Sequence, residues 1–243
     1  MAIEFGVQSF CFRNTKESVE VAKLVKEIGL DAIELCRLHV DFDNPAVYQE
    51  IIDAYANAGV KIISTGVNKI NANEADRNLF AFTKAAGCEY MSVNFSMDNI
   101  DEELKSAEAL AEEFDLKLGI HNHGGYHWLG TAEALQWVFN KSSKRIGLTL
   151  DIAWAMDAKQ NPIEMVEKFA DRLYNVHFKD FTWNADRSHN DVPVGTGNLD
   201  LPALLSAMDK IGFNGITVLE YEGNPENPVP ALKECVAQMK KSM

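Results

Sequence analysis

Positive charge is what this sequence has least of. Its 23 Lys and Arg stand against 36 Asp and Glu, a formal net charge of −13 over 243 residues. A nucleic-acid binder needs a basic footprint to neutralise phosphates, and anionic membrane surfaces repel a chain of this sign. Long apolar runs are missing too; none approaches the ~20 residues that span a bilayer. The opening Met1-Ala2-Ile3-Glu4-Phe5 has no basic head and no long apolar stretch, so no secretion signal is expected. Cysteines are few: Cys11, Cys36, Cys88 and Cys235, with no Cys-x-x-Cys. They suit free buried thiols in a reducing cytoplasm, a disulfide being the lesser alternative.

What is present is an alternation. Short Val/Ile/Leu-rich runs fall at Phe5–Phe10, Ala32–Leu35, Lys61–Val67, Tyr90–Asn94, Lys117–His123, Ile146–Asp151, Tyr174–Asp180 and Gly215–Tyr221. They read as strands buried on both faces. Between them lie segments of helical period. In residues 18–28, Val21, Leu24, Val25 and Ile28 form one stripe, and Gly29 follows as a stop. Residues 45–58 repeat the plan, with Asn44 as N-cap, Pro45 in the first turn and Gly59 as the stop. Further helices are expected at Asp98–Phe114, Thr131–Phe139, Pro162–Ala170, Pro202–Ile211 and Pro230–Lys241. Strands recurring about every 30 residues, with no composition break, predict one closed parallel (β/α)₈ TIM barrel over residues 1–243. The polar, Gly-containing stretch Phe181–Asp200 reads as a long functional loop.

In such a barrel the chemistry sits at the C-terminal ends of the strands. Those ends here carry Glu34, Asn94, His121-Asn122-His123, Asp151, His177-Phe178-Lys179-Asp180 and Glu220-Tyr221-Glu222. Buried charges cost several kcal/mol unless paired or metal-bound. Four of the six histidines, His121, His123, His127 and His177, fall at two strand ends, which suggests a shared purpose. Imidazoles and carboxylates converging from several strands make a divalent-metal site. Mixed nitrogen and oxygen donors suit Mn²⁺, Co²⁺, Zn²⁺ or Fe²⁺ better than Ca²⁺ or Mg²⁺.

The motifs VQSFCFR, IEL, GIHNHGG, LTLDIAWAMDA, VHFKD and VPVGTGNLDLPALLSAMDKIGFNGITVLEYEG, taken together, resemble the xylose-isomerase-like superfamily. It includes sugar isomerases and epimerases, inosose dehydratase and endonuclease-IV-type nucleases. The resemblance covers essentially the whole chain. It implies one divalent ion held by a Glu, an Asp, a His and a Glu from the fifth to the eighth strands. Asp151, His177 and Glu220 match; His121 stands where the family usually has Glu. The implied activity is isomerisation or epimerisation of a sugar, by proton abstraction next to a carbonyl through a metal-stabilised enediolate. Losing one of the family's two acid/base glutamates raises the alternative of a keto-sugar or inosose dehydratase or lyase. A non-catalytic sugar-binding barrel is a minor alternative.

On this reading His121, Asp151, His177 and Glu220 hold the ion. Glu220, Lys179 and Glu34 are the candidate catalytic groups. His123, Glu34, Trp154 and Phe10 are the candidate substrate contacts, with Trp154 and Phe10 as an apolar platform. For each there is a plainer role: an ion-pair network in the barrel mouth for the charged groups, core packing for the rings. Glu222, His127 and His189 read as rim or loop residues. The expected partner is a small sugar or keto-polyol. Oligomeric state is left open.

Overall fold

The computed structural model describes residues 5–242, so the expectation for Met1–Glu4 lies outside the described residues. Eight parallel strands close on themselves: β1 (Phe5–Gln8), β2 (Ala32–Leu35), β3 (Lys61–Lys69), β4 (Tyr90–Asn94), β5 (Lys117–His121), β6 (Ile146–Asp151), β7 (Leu173–Phe178) and β10 (Ile216–Leu219). β1 pairs with both β2 and β10, which closes the (β/α)₈ barrel the sequence predicts. β1, β5, β7 and β10 stop two residues short of the runs expected of them, whereas β3 runs two residues longer, to Lys69. His123, Lys179 and Glu220 therefore stand just beyond the ladder, in loops free to aim them at the mouth.

Nine helices are found among the described residues: α1 (Ser18–Glu27), α2 (Tyr48–Asn57), α3 (Asp76–Ala85), α4 (Ile100–Phe114), α5 (Ala132–Phe139), α6 (Ile152–Asp157), α7 (Pro162–Lys168), α8 (Leu201–Lys210) and α9 (Val229–Ser242). α3 does not appear in the sequence reading. Its stripe of Asp76, Leu79, Phe80 and Thr83 has helical spacing, but it follows a polar lead-in. Asn44 does not cap as expected: Pro45–Val47 forms a 3₁₀ turn with no side-chain cap before α2 begins. Thr131 and Asp200 do cap, accepting from Ala134 N at 3.3 Å and Ala203 N at 3.0 Å.

The expected loop Phe181–Asp200 is corrected. Its first half is an antiparallel hairpin, β8 (Asp180–Trp183) on β9 (His189–Val192), standing beside the barrel mouth. Alternation was hidden there because only Phe181, Trp183 and Val192 are apolar. All four cysteines are buried and free, as expected.

Inside the barrel, just below the mouth, one layer is polar. Gln8, Glu34, Ser64, Ser92, Thr149 and Asn175 are all buried there. Register places Gln8 beside Glu34, Glu34 beside Ser64, and Thr149 beside Asn175. A polar floor of this kind stands only if its groups satisfy each other. Glu34 supplies most of that satisfaction, accepting from Gln8 Nε2 at 2.6 Å, Ser92 Oγ at 3.1 Å and Asn175 Nδ2 at 3.0 Å. Ser92 in turn shares a hydrogen bond with Thr149 at 3.0 Å.

Candidate metal centre

Above that floor four side chains from four successive strands converge. His121 ends β5, Asp151 ends β6, His177 lies in β7 and Glu220 follows β10. All four are buried, and one ligand atom from each lies within 4.8 Å of the others. Local structure aims each of them. Asp151 uses Oδ1 to cap α6, accepting from Trp154 N at 2.9 Å, which turns Oδ2 inward. Asn122 pins the same residue by its backbone, accepting from Asp151 N at 2.8 Å and donating to Asp151 O at 3.0 Å. His177 Nδ1 hydrogen-bonds Glu220 Oε2 at 2.9 Å. Its Nε2 stands 3.0 Å from Glu34 Oε1 without an aligned hydrogen bond, so charge rather than geometry holds that pair.

The group fits a divalent cation. His121 Nε2 and Asp151 Oδ2 are buried with no hydrogen-bond partner, and the two stand only 3.5 Å apart. Orphaned buried polar atoms are rare and costly. Two imidazoles and two carboxylates aimed at one point are what a Mn²⁺, Co²⁺, Zn²⁺ or Fe²⁺ ion needs. The electrostatics agree. Burial opposes a charge on His177, but Glu34 and Glu220 outweigh it and push the imidazole up to about 10. Burial likewise opposes ionisation of Glu220, yet Lys179 and His177 hold its carboxyl well below the usual range. A positive charge is wanted here, and a cation supplies it.

The remaining predicted residues are distributed unevenly. His123, Trp154, Phe10 and Glu220 line a cavity of about 460 Å³ that opens over the centre. Glu34 does not reach it: the residue is 0% exposed and its oxygens are taken by the floor. Burial opposes its ionisation, but His177 holds it ionised. Lys179 is also 0% exposed. It pairs with Glu222 and lies over the Trp154 ring at 5.4 Å. Burial disfavours its charge, but Glu220, Asp151, Glu222 and Asp191 raise its pKa. The ring platform is only half open. Trp154 is stacked on His123 at 4.0 Å and edged by Phe181 and His189, and Arg13 covers Phe10 at 4.9 Å.

Sequence reasoning missed Gln8, placed Asn94 at a strand end without a role and read Glu222 as a rim residue; all three line the cavity. It also missed what Asp180 does. That buried carboxylate accepts four backbone N–H groups, from Gly195, Gly197, Asn198 and Leu199, at 2.9–3.0 Å. Gly197 is required there, because a Cβ would stand 2.5 Å from Asp180 Oδ1. The VHFKD and VGTGNL motifs are thus two halves of one clasp.

Comparison with known proteins places this geometry. The rhizopine catabolism protein MocC of Rhizobium meliloti is 27% identical over 139 residues, 51% of this chain and 42% of that protein. Inosose dehydratase of Lacticaseibacillus casei is 24% identical over 135 residues, 49% of this chain and 45% of that one. The matched region thus spans under half the length of these curated relatives. Among solved structures, a 3-keto-D-glucoside 4-epimerase from E. coli superposes with TM-score 0.75 at 16% identity, covering 98% of this chain and 99% of that one. IolI with a bound zinc atom superposes with TM-score 0.75 at 16% identity, over 99% and 98% of the two chains. These structural likenesses are likenesses of fold. The profile of the xylose isomerase-like TIM barrel family matches residues 22–241, and the chain belongs to that family.

Proposed function

We propose that this protein is a divalent-metal-dependent enzyme that isomerises or epimerises a small keto-sugar or keto-polyol in the cytoplasm. The observation that carries the reading is the buried group His121, Asp151, His177 and Glu220, with its orphaned ligand atoms, at the base of an open cavity. The zinc in the IolI relative and the epimerase and dehydratase names among the others support it.

A proton on carbon next to a carbonyl is too weak an acid to leave unaided. A divalent ion held by those four residues would act as a Lewis acid toward the substrate's carbonyl and neighbouring hydroxyl oxygens. The chain's own residues do the rest. Asn94 lines the cavity with an amide suited to hydroxyl groups. His123, fixed by its stack on Trp154, offers an imidazole that burial and His121 keep neutral. Lys179 stays an ammonium and offsets the crowded carboxylates. A proton delivered to the opposite face of the same carbon gives an epimer, and one delivered to the neighbouring carbon, with a proton moved between the two oxygens, gives an aldose–ketose isomer.

A dehydratase is the second reading, favoured by one feature: His121 stands at the centre where the family resemblance implies a Glu. That leaves one fewer carboxylate to move protons between carbons. The test is incubation of the Mn²⁺-loaded protein with keto-sugars in D₂O, read by NMR and mass spectrometry. Deuterium at the α-carbon in a sugar otherwise unchanged in mass supports isomerisation or epimerisation. A product lighter by one water assigns dehydration. Binding without any exchange would favour a non-catalytic sugar-binding barrel and contradict both.

A further inference from the structure

The polar floor of the barrel is built around one carboxylate. Glu34 is 0% exposed, so it is neither the catalytic group nor the substrate contact expected from sequence. A charge in a barrel interior is costly unless it is paired and hydrogen-bonded. Here donors from three other strands surround it. Gln8 Nε2 on β1, Ser92 Oγ on β4 and Asn175 Nδ2 on β7 donate at 2.6, 3.1 and 3.0 Å. Three donors aimed at one side chain mark an ionised, acceptor-only carboxylate. Its remaining neighbour belongs to the ligand group: His177 Nε2 stands 3.0 Å from Glu34 Oε1. Asn175 and His177 lie two apart within β7 and so share a face of that strand. β2 and β7 are not neighbours in the sheet, so Glu34 reaches across the barrel interior to meet both.

We propose, on the metal-centre reading above, that Glu34 is a positioning residue for that centre: it fixes the His177 ring with its proton on Nε2 and the Nδ1 lone pair turned to the cation. A neutral imidazole carries its proton on one nitrogen and coordinates through the other. The two nitrogens of His177 face different partners. Nδ1 stands 2.9 Å from Glu220 Oε2, a fellow member of the converging group. Nε2 faces Glu34, which is not a member. Were Nε2 the donor atom, Glu34 would stand at the ion as well. The cation side of the ring is therefore the Nδ1 side, and the N–H is left toward Glu34. That contact has hydrogen-bond length without alignment, so the carboxylate's charge holds the proton.

A carboxylate behind a ligating histidine fixes its tautomer and ring orientation and makes it a stronger donor. The floor gains a purpose from this. Gln8, Ser92 and Asn175 hold Glu34, Glu34 holds His177, and His177 serves the centre. Glu34 touches no substrate and acts only through that ring.

The experiment uses the full chain with Zn²⁺, a diamagnetic ion, and reads affinity by competition with a chelator. Wild type, Glu34→Gln and Ser92→Ala are compared. Glu34→Gln keeps the shape and removes the charge, whereas Ser92→Ala loosens the same floor without touching His177. Glu34→Gln is expected to bind Zn²⁺ about 10–100-fold more weakly than wild type, and Ser92→Ala to stay within about threefold. NMR of the Zn²⁺-loaded, ¹⁵N-histidine-labelled wild type is expected to place the His177 proton on Nε2, the signal being assigned by its loss in His177→Gln. A proton on Nδ1 would overturn the assignment, whether or not Glu34→Gln folds. Unchanged affinity in Glu34→Gln would also overturn it. So would an equal loss in Ser92→Ala, which would make Glu34 part of the floor alone. These outcomes leave the metal centre standing. A wild-type chain that binds neither Zn²⁺ nor Mn²⁺ would remove the centre and the role of Glu34 together.

Discussion

Two carboxylates near the site show how differently the same group behaves in two settings. Asp180 accepts four backbone N–H groups and closes a loop. Asp180→Ala leaves those donors without an acceptor. It is expected to cost about 3 kcal/mol in urea unfolding, the size seen when a buried charged acceptor is lost. A loss below about 0.5 kcal/mol would mean the clasp is ornamental. Asp191 is the opposite case. Burial pushes its carboxyl up to about 6, with Lys179 pulling the other way and Glu222 pushing with burial. A carboxyl whose pKa rises on folding favours the folded state below the unfolded value near 4. That advantage is lost as pH climbs through 6. Asp191→Asn removes the titration. The variant should match wild type at pH 4 and exceed it by roughly 1 kcal/mol at pH 7, a figure reduced because the group keeps some solvent. Equal stability at both pH values would contradict this account of Asp191.

At the scale of elements, the strands were legible because parallel strands buried on both faces must be rich in Val, Ile and Leu. Their exact ends were not, since a functional side chain just past a ladder looks like one more strand residue. α3 was lost to its polar lead-in, and the β8–β9 hairpin to its polar faces. All four candidate ligands were named from the sequence, His121 by its place at the end of the fifth strand. Asp151, His177 and Glu220 were carried by motif resemblance, whereas the burial of Glu34 and Lys179 follows from three-dimensional register that no local pattern reports. The same register makes a testable demand on β5. A Cβ on Gly119 would fall on Thr149 Oγ1 of the neighbouring strand β6, in a packed interior where nothing can give way cheaply. Gly119→Ala is therefore expected to destabilise by about 2–3 kcal/mol, read as a lowered Tm, with the loss eased when Thr149→Ala is added. An unchanged Tm would show that the interior is looser than this packing implies.

For the molecule as a whole, the acidic charge and the barrel do separate jobs. Surface ion pairs such as Lys233 with Glu27 and Lys210 with Glu167 contribute little each, being exposed. The excess of carboxylates matters most where it is concentrated, at the mouth, around His177 and Lys179. No helix among the described residues is long and apolar enough to cross a membrane. The barrel brings distant residues together: positions 121, 151, 177 and 220 meet because β5, β6, β7 and β10 are consecutive neighbours in the sheet. Whether that meeting point grips a cation decides everything built on it. The direct measurement is native mass spectrometry of the stripped chain after reconstitution with Mn²⁺, Co²⁺, Zn²⁺ or Fe²⁺, with Asp151→Asn and His177→Ala as folded controls checked by circular dichroism. One ion per wild-type chain and none in either variant is the expected outcome. A wild-type chain that takes up none of the four, or variants that hold the ion as tightly as wild type, would contradict it.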